Sequence, residues 1–201
     1  MLQTPACSYE VRDWHEYLLL FERRHLAPGG WIEILDPSNP AQSDDGTLAE
    51  DSNLAKWNRL WLEASLKAGA PVNSAERYKQ QLIDAGFVNV VQVEYKWPIG
   101  SWPKEKNAKL LGKFFFPLVI TLCRRRWYSL FTNPLPTSKG SWVHQNLTQG
   151  LEALSLFFFT NMLGWTAEEV KVLCSLVRQD MKNPRIHAYW PAYVVYGQKP
   201  E

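Results

Sequence analysis

The sequence predicts an α/β fold with about three strands and a large helical insertion. An apolar run from Trp31 to Leu35 lies between the turn residues Pro28 to Gly30 and the pair Asp36-Pro37, which is typical of a buried strand. Apolar and polar side chains alternate strictly over residues 91–97, which indicates a strand with one wet face at or near the edge of the sheet. Residues 98–185 are rich in aromatic side chains and mostly helical in pattern.

The N-terminal part predicts a helix that leads into the first strand. Residues 1–9 form an irregular start, and a capping box over residues 13–16 begins a helix that runs to about Leu26. The turn at 28–30 stops this helix, because proline cannot continue it and glycine accepts the backbone of a sharp reversal. Helix, turn and strand are half of a βαβ unit in a parallel sheet, and residues 36–46 form a polar loop.

Two helices are predicted between the strands. Residues 47–50 suggest a cap, and a stripe of apolar side chains then runs along a long helix that ends at Gly69. The stripe consists of Leu54, Trp57, Trp61, Ala64 and Ala68. A second cap over residues 73–76 begins another helix, which stops at Gly86.

The insertion and the last strand complete the prediction of one domain over residues 1–201. Apolar helices are predicted over 104–123 and 149–163, and a third begins at Thr166. The buried side of that third helix carries Val170, Leu173 and Val177. An apolar strand follows over residues 187–196, where Pro191 predicts a bulge or an unpaired position in the ladder.

The bulk properties exclude several function classes. Apolar residues are 46% and charged residues 21%, an ordinary globular balance, and a net charge of +2 predicts no binding to nucleic acid. Three cysteines without paired spacing predict reduced thiols in the cytoplasm, with the nucleus as the alternative. The apolar run at 114–123 is too short to span a bilayer.

Five residues are candidates for a substrate pocket. Asp36 ends a strand at its carboxyl end, where ligands bind in open α/β sheets, although an Asp-Pro turn explains it equally. Four tryptophans have the spacing of a pocket lining or of ordinary core: Trp57, Trp61, Trp97 and Trp102. Glu33 lies among apolar residues and is either a buried polar anchor or a solvent-facing side chain.

No catalytic residue can be assigned from sequence. The four histidines have no ligand spacing and the cysteines form no pairs, so no metal site is predicted. The run at 124–126 contains three arginines, which could bind phosphate, act as a nuclear signal or simply be a solvated helix end.

Four segments carry a resemblance to a known family. They are residues 26–36 around the first strand, 82–87 at a helix-to-strand junction, 96–103 after the second strand, and 196–200 at the close of the last. In order and spacing they are similar to the C-terminal half of class I S-adenosylmethionine-dependent methyltransferases. Within that class they resemble the fungal LaeA-type group, found around secondary-metabolite pathways.

The resemblance implies a methyltransferase that uses S-adenosylmethionine and methylates a small molecule, with residues 98–185 as a lid on the substrate side. The glycine-rich loop and the acidic residue that bind the cofactor in that family have no match in this sequence. The resemblance therefore implies that the cofactor-binding half comes from another chain, or that the sequence is a truncated form. The alternative is a non-catalytic pseudo-methyltransferase that binds a protein partner or a hydrophobic ligand; a cofactor-independent catalyst that reuses the lid pocket is a third reading.

The same resemblance predicts an assembly. Without the strand that precedes Trp31 to Leu35 in the family, this strand has an open edge, and open edges pair with other chains. A homodimer, a partner chain or aggregation is therefore expected. Residues 1–12 could instead cover the edge, although Pro5 limits how much of them can pair.

Overall fold

The computed structural model describes residues 2–5, 26–105 and 140–201. In chain order the strands are β1 (Leu2–Pro5), β2 (Trp31–Pro37), β3 (Val88–Pro98) and β4 (Tyr189–Gln198). The helices are α1 (Asn53–Lys67), a 3-10 helix at Ser74–Arg77 followed directly by α2 (Tyr78–Asp84), α3 (Gly140–Leu163) and α4 (Ala167–Lys182).

The four strands form one mixed sheet in the order β1-β2-β4-β3. β1 pairs with β2 in parallel, and β4 runs antiparallel to both of its neighbours. The α/β fold class is therefore as predicted, and β3 lies at an edge of the sheet as its alternation indicated. The expected number of about three strands omits β1. Helices were expected where α1, α2 and α4 lie, whereas α3 begins at Gly140, before the predicted start at residue 149.

β2 alternates strictly between buried and half-buried residues, so the sheet has two different faces. Directly paired residues of neighbouring strands share a face. The first face carries Ile32, Ile34, Asp36, Tyr193 and Val195. The second face carries Trp31, Glu33, Leu35, Val91, Val93, Tyr95, Ala192, Val194 and Tyr196, and it continues through the pair Trp97 and Trp190.

The first face is covered by the 3-10 helix and α2. Its isoleucines are at most 1% exposed and pack in one cluster with Val195, Tyr78 and Leu82, which are fully buried. The remaining members of this cluster are Leu26, Ala75, Ala85 and Phe87, with Val90 and Tyr193 at its margin. α2 ends at Asp84, and Gly86, the residue predicted to stop it, follows with a φ of 89° that a residue without a side chain adopts easily.

A second core lies among α1, α3 and α4. The predicted stripe of α1 supplies Leu54, Trp57, Trp61 and Ala64, all buried. The predicted stripe of α4 supplies Val170, Leu173 and Val177, and α3 contributes Leu151, Phe158 and Phe159. Polar contacts join the helices as well: Leu54 N donates to Asp180 Oδ2 over 2.9 Å, and Arg178 pairs with Glu152 at 3.1 Å. Trp97 and Trp190 bring the end of the sheet into contact with this core.

The helix caps partly differ from the sequence prediction. α1 begins after Ser52, whose Oγ accepts from Ala55 N, and not within residues 47–50. The predicted cap failed because Thr47 Oγ1 accepts instead from His187 N, 140 residues away. Asn73 precedes the 3-10 helix but makes no side-chain capping bond. The capping box at Thr166 is confirmed, since its side chain and that of Glu169 bond reciprocally to backbone N–H groups.

Pro191 causes no bulge. The ladder between β3 and β4 is in register at Lys96 and Pro191, and the Pro191 carbonyl accepts from Ser38 N just beyond the end of β2. The irregularity lies instead between Val88 and Val91, where Asn89 has a φ of 53°. Asparagine tolerates this left-handed conformation better than most residues do.

The edge of β2 is paired in the structure rather than open, while the expected homodimer or partner chain stays a prediction. Residues 2–5 lie along it in parallel, so the N-terminal segment covers this edge, as the alternative foresaw, and Pro5 is the last residue of that strand. The predicted helix at 13–26, most of that at 104–123 and the arginine run at 124–126 lie outside the described residues. The single domain over 1–201 and the lid role of 98–185 stay predictions.

Candidate functional site

Asp36 is placed at the carboxyl end of β2, but it lies under a helix rather than in an open cleft. The residue is 6% exposed, and Tyr78 Oη of α2 donates to its Oδ2 over 2.8 Å. The strand alternation that buries Ile32 and Ile34 also turns Asp36 inward. Its carboxylate therefore joins β2 to α2, and contact with a ligand would require α2 to move.

The residues that follow Asp36 form a buried polar network that the sequence reading missed. Asn58 Oδ1 of α1 accepts from Asn39 Nδ2 at 3.0 Å and from Ala41 N and Trp190 Nε1, each at 3.2 Å. Asn58 Nδ2 donates to Leu54 O at 2.7 Å. One buried amide thus joins the strand-end loop, β4 and α1. The signal in the sequence was its position four residues after Leu54, on the core stripe of the helix.

Two buried polar atoms, one in this network and one on the next turn of α1, have no hydrogen-bond partner among the described residues. They are Asn39 Oδ1 and Trp61 Nε1. Asn39 is bonded to Asn58 through its other amide atom, and Trp61 lies one helical turn after Asn58. Buried polar atoms usually have a partner, commonly an ordered water.

Of the four candidate tryptophans, the structure brings three into one cluster. The rings of Trp57 and Trp61 are 4.6 Å apart, and Trp97 packs against the same core. Trp57 is 1% exposed and donates through Nε1 to Ser155 Oγ at 2.8 Å. Trp57 and Trp61 therefore have the burial of core residues, and their pocket role stays a prediction. Asp36 belongs to the other cluster, under α2.

Trp102 lies apart from the other three. Its Nε1 donates to Ala188 O over 2.9 Å, and its ring centroid is 5.0 Å from that of His187. It is half-buried, so the ring also reaches the surface. Trp102 thus anchors the start of the insertion against the beginning of β4.

A charged cluster fastens the loop after β2 to the sheet. We call it the acidic-loop clasp; its members are Asp44, Asp45, Thr47, Lys96, His187 and Tyr189. Asp44 accepts from Lys96 Nζ and from Tyr189 Oη, each at 2.6 Å. The His187 ring lies 2.5 Å from Asp45 Oδ2. Tyr189 is buried, but the charged side chains Asp44, Asp45 and Lys96 are exposed, so the clasp holds a loop rather than forming a desolvated catalytic centre.

The clasp shifts the ionisation of its members. The hydrogen bond from Lys96, followed by that from Tyr189, lowers the pKa of Asp44. Hydrogen bonds from Ser43, Thr47 and His187 hold the pKa of Asp45 well below its usual range. The bond to Asp44 raises the pKa of Lys96 and, together with partial burial, that of Tyr189. Near neutral pH these shifts favour charged Asp44, Asp45 and Lys96 and a neutral Tyr189 whose hydroxyl donates to Asp44.

The described residues do not by themselves fit S-adenosylmethionine. The acidic side chain at the end of β2 is buried against Tyr78, so it is not presented to ribose hydroxyls. The sequence holds no Gly-x-Gly-x-Gly run through which backbone could approach a cofactor. No methyl-transfer step can therefore be derived from these residues alone.

The described part of the chain contains neither a metal-binding cluster nor a membrane-spanning helix. No group of three His, Cys, Asp or Glu side chains there is arranged to hold a metal ion. No helix there has the length and apolar character needed to cross a membrane. The described cysteine, Cys174, is buried, and this burial raises the pKa of its thiol.

Curated relatives match the chain over most of its length, whereas no protein-family model matches it. The methyltransferase pytC of Aspergillus terreus is 32% identical over 96% of this chain and 52% of its own. In tdiE of Emericella nidulans, described as a probable methyltransferase, 37% of 175 residues are identical, covering 87% of this chain and 46% of the relative. The secondary metabolism regulator LAE1 of Cochliobolus heterostrophus is 30% identical over 98% of this chain and 55% of its own.

These relatives confirm the predicted resemblance to fungal methyltransferases and to LaeA-type regulators. The chain spans about half the length of the curated relatives it matches. Solved structures are more distant. A methyltransferase of Bacillus halodurans covers 99% of this chain at 12% identity, with a TM-score of 0.38. So loose a superposition identifies no fold, and the α/β class rests on the sheet and helices described above.

Proposed function

We propose that this chain supplies the substrate-side part of a methyltransferase of fungal secondary metabolism, which transfers a methyl group from S-adenosylmethionine to a small molecule. The observation that carries the proposal is the similarity to two fungal methyltransferases, at 37% and 32% identity over 87% and 96% of the chain. Identity at this level covers most of the chain, so the similarity does not depend on a few short motifs.

In this proposal the chain binds and orients the acceptor, while the cofactor is bound by the part of the relatives that this chain does not match. Methyl transfer depends chiefly on holding the acceptor atom in line with the methyl group, so orientation supplies much of the rate. The insertion is suited to that task, because Phe158 and Phe159 of its helix α3 lie in one apolar core with the tryptophans of α1. S-adenosylmethionine would supply the electrophilic methyl group when bound.

Trp102 is the residue proposed to contact an apolar acceptor. It is half-buried beside the exposed clasp, where a ligand could reach its ring, whereas Trp57 is enclosed. We expect Trp102→Ala to weaken an apolar acceptor by about 1–3 kcal/mol, because a large apolar contact is lost. Trp102→Phe is the matched control, since it keeps most of the ring and removes only the bond to Ala188. An unchanged affinity for Trp102→Ala, with the protein folded, would remove Trp102 from the pocket.

The test is co-expression of the chain with the part of the Emericella nidulans relative that it does not match. The co-assembly is titrated with S-adenosylmethionine, and formation of S-adenosylhomocysteine is followed with a panel of small aromatic alcohols, amines and carboxylic acids. We expect binding and acceptor-dependent turnover by the co-assembly and neither by the chain alone. Micromolar binding of S-adenosylmethionine by the chain alone would contradict the proposal that the other part binds the cofactor. A co-assembly that binds no S-adenosylmethionine would refute the proposed function.

The second candidate is a non-catalytic protein that binds a partner or a hydrophobic ligand. Two observations favour it: the carboxylate of Asp36 is held by Tyr78, and the 30% identical relative LAE1 is described as a regulator. A co-assembly that binds S-adenosylmethionine yet methylates no member of the panel would favour this candidate over the first.

A further inference from the structure

We propose that His187 acts as a general base, and that its Nε2 takes the proton from a hydroxyl group of an aromatic acceptor. In this proposal Asp45 positions the imidazole, and the ring of Trp102 is the surface on which the acceptor lies. The proposal rests on the proposed function for the identity of its ligand as a methyl acceptor. It adds the chemical class of that acceptor, an aromatic ring that bears a hydroxyl group, and the residue that takes its proton.

The tautomer of His187 is set by Asp45. Nδ1 of the ring lies 2.5 Å from Asp45 Oδ2, and hydrogen bonds from Ser43 and Thr47 hold the pKa of Asp45 well below its usual range. An ionised carboxylate can only accept hydrogen bonds, so Nδ1 carries the proton of this pair. The lone pair of the neutral imidazole is then on Nε2, which has no hydrogen-bond partner in the described part of the chain.

The carboxylate of Asp45 is itself held in one orientation. Its Oδ1 accepts from Ser43 Oγ and Thr47 Oγ1, each over 2.8 Å, and from Thr47 N over 3.2 Å. These bonds occupy one oxygen and leave the other to His187. Thr47 Oγ1 also accepts from His187 N over 2.8 Å, so the same loop fixes the backbone of the histidine. A carboxylate that orients an imidazole in this way is the arrangement of a general base on unrelated folds.

The free nitrogen can be reached beside an aromatic surface. The side chain of His187 is 40% exposed, and its ring centroid lies 5.0 Å from that of Trp102, with an angle of 32° between the ring planes. An aromatic ring packs well against an indole, and a hydroxyl on that ring can donate to Nε2. A hydroxyl needs such a base more than a neutral amine does, because its oxygen is a weak nucleophile until its proton is removed.

The remaining charged members of the clasp do not occupy this lone pair. Lys96 Nζ and Tyr189 Oη both donate to Asp44, each over 2.6 Å. The proton passes from the acceptor hydroxyl to Nε2 of His187, and the oxygen keeps the electron pair of the broken O–H bond. The product is an imidazolium whose charge is balanced by the Asp45 carboxylate, so the pair stabilises the transferred proton.

The first measurement uses the full chain alone and does not depend on methyl transfer. Heteronuclear NMR of the ring nitrogens of His187 reports the tautomer, and para-cresol is titrated while the Nε2 signal is followed. We expect an unprotonated Nε2 in the neutral ring and a shift of its signal on binding. The methyl ether of para-cresol is the matched probe, and it should bind about tenfold more weakly because it cannot donate to Nε2. Asp45→Asn should move part of the proton to Nε2, whereas Asp44→Asn, the control in the same loop, should not.

The second measurement uses the co-assembly described above, with the members of the panel that bear a hydroxyl group. Turnover should rise with pH to a plateau, because the imidazole acts only after it has lost its own proton. We expect His187→Gln to lower kcat about 100-fold or more with little change in KM, and to abolish this rise. Asp45→Asn should lower kcat about tenfold, and Asp44→Asn should change it less than about twofold. Circular dichroism verifies that each variant is folded.

Several outcomes would overturn the proposal. They are a protonated Nε2 in the neutral ring, equal binding of para-cresol and its ether, equal effects of Asp45→Asn and Asp44→Asn, or a rise with pH that survives His187→Gln. If His187→Gln does not fold, the tautomer and the two probes decide the matter in the unaltered chain. The result separates from the proposed function. Turnover that is indifferent to His187 removes the base alone, whereas a co-assembly without any turnover refutes the function and leaves the NMR measurements to decide the site.

Discussion

The two faces of one sheet differ although the same strands form both. On β2, Ile32 and Ile34 are at most 1% exposed beneath α2, whereas Glu33 and Leu35 between them are only half-buried. On β4, Val195 is fully buried while its neighbour Val194 is not. The difference teaches that, in the described residues, the 3-10 helix and α2 enclose the centre of the first face, whereas the centre of the second face stays partly exposed.

The largest expected effect separates two adjacent residues of β2. Ile34→Ala should destabilise the chain by about 2–5 kcal/mol, because it opens a cavity in a fully covered cluster. Leu35→Ala should cost about 1 kcal/mol or less in the chain alone, because its side chain already contacts solvent. Urea denaturation of both variants measures the difference. Equal costs would mean that the two faces are equally packed.

A smaller effect is expected from two tyrosines that lie on opposite sides of the sheet. Tyr78→Phe removes the hydrogen bond to buried Asp36 and should cost about 1–3 kcal/mol, since the carboxylate loses a donor. Tyr95→Phe removes a hydroxyl from a residue that is 52% exposed, so its cost should lie within about 0.5 kcal/mol. Thermal unfolding of the pair decides whether the Asp36–Tyr78 contact stabilises the covered face. A neutral Tyr78→Phe would show that it does not.

The smallest effect concerns the acidic-loop clasp, whose two carboxylates are exposed. Asp45 has a lowered pKa in the folded chain, so its contribution to stability is present above its unfolded pKa of about 4 and is lost as the pH falls through its folded value. Below about pH 4 the unaltered chain should therefore lose stability more steeply than Asp45→Asn. Denaturation at a series of pH values gives the two slopes, and identical slopes would show that Asp45 is not held by its partners.

Local signals in the sequence were sufficient for most of the elements. The apolar run at 31–35 with its flanking turns located β2, and the alternation at 91–97 located β3 and its edge position. The capping box at Thr166 located the start of α4, because both partners of that motif lie within one turn.

Contacts between distant residues decided what the sequence could not show. The Thr47 hydroxyl is bonded to residue 187 instead of capping a helix, and Asp36 meets Tyr78, 42 residues further along the chain. Asn58 collects its three donors from residues 39, 41 and 190. β1 has only four residues and ends in proline, which leaves no periodicity to read. The candidate site was therefore located at the right strand end without its actual partners.

The most direct test of the account replaces Ile34 or Leu35 by cysteine, in a chain whose three native cysteines are serine, and measures how fast a thiol reagent modifies the folded protein. We predict that Leu35→Cys reacts about tenfold faster than Ile34→Cys, because the side chain at 34 is enclosed beneath α2 whereas that at 35 is half-buried. Equal rates for the two variants would contradict the claim that the two faces of the sheet differ in their cover.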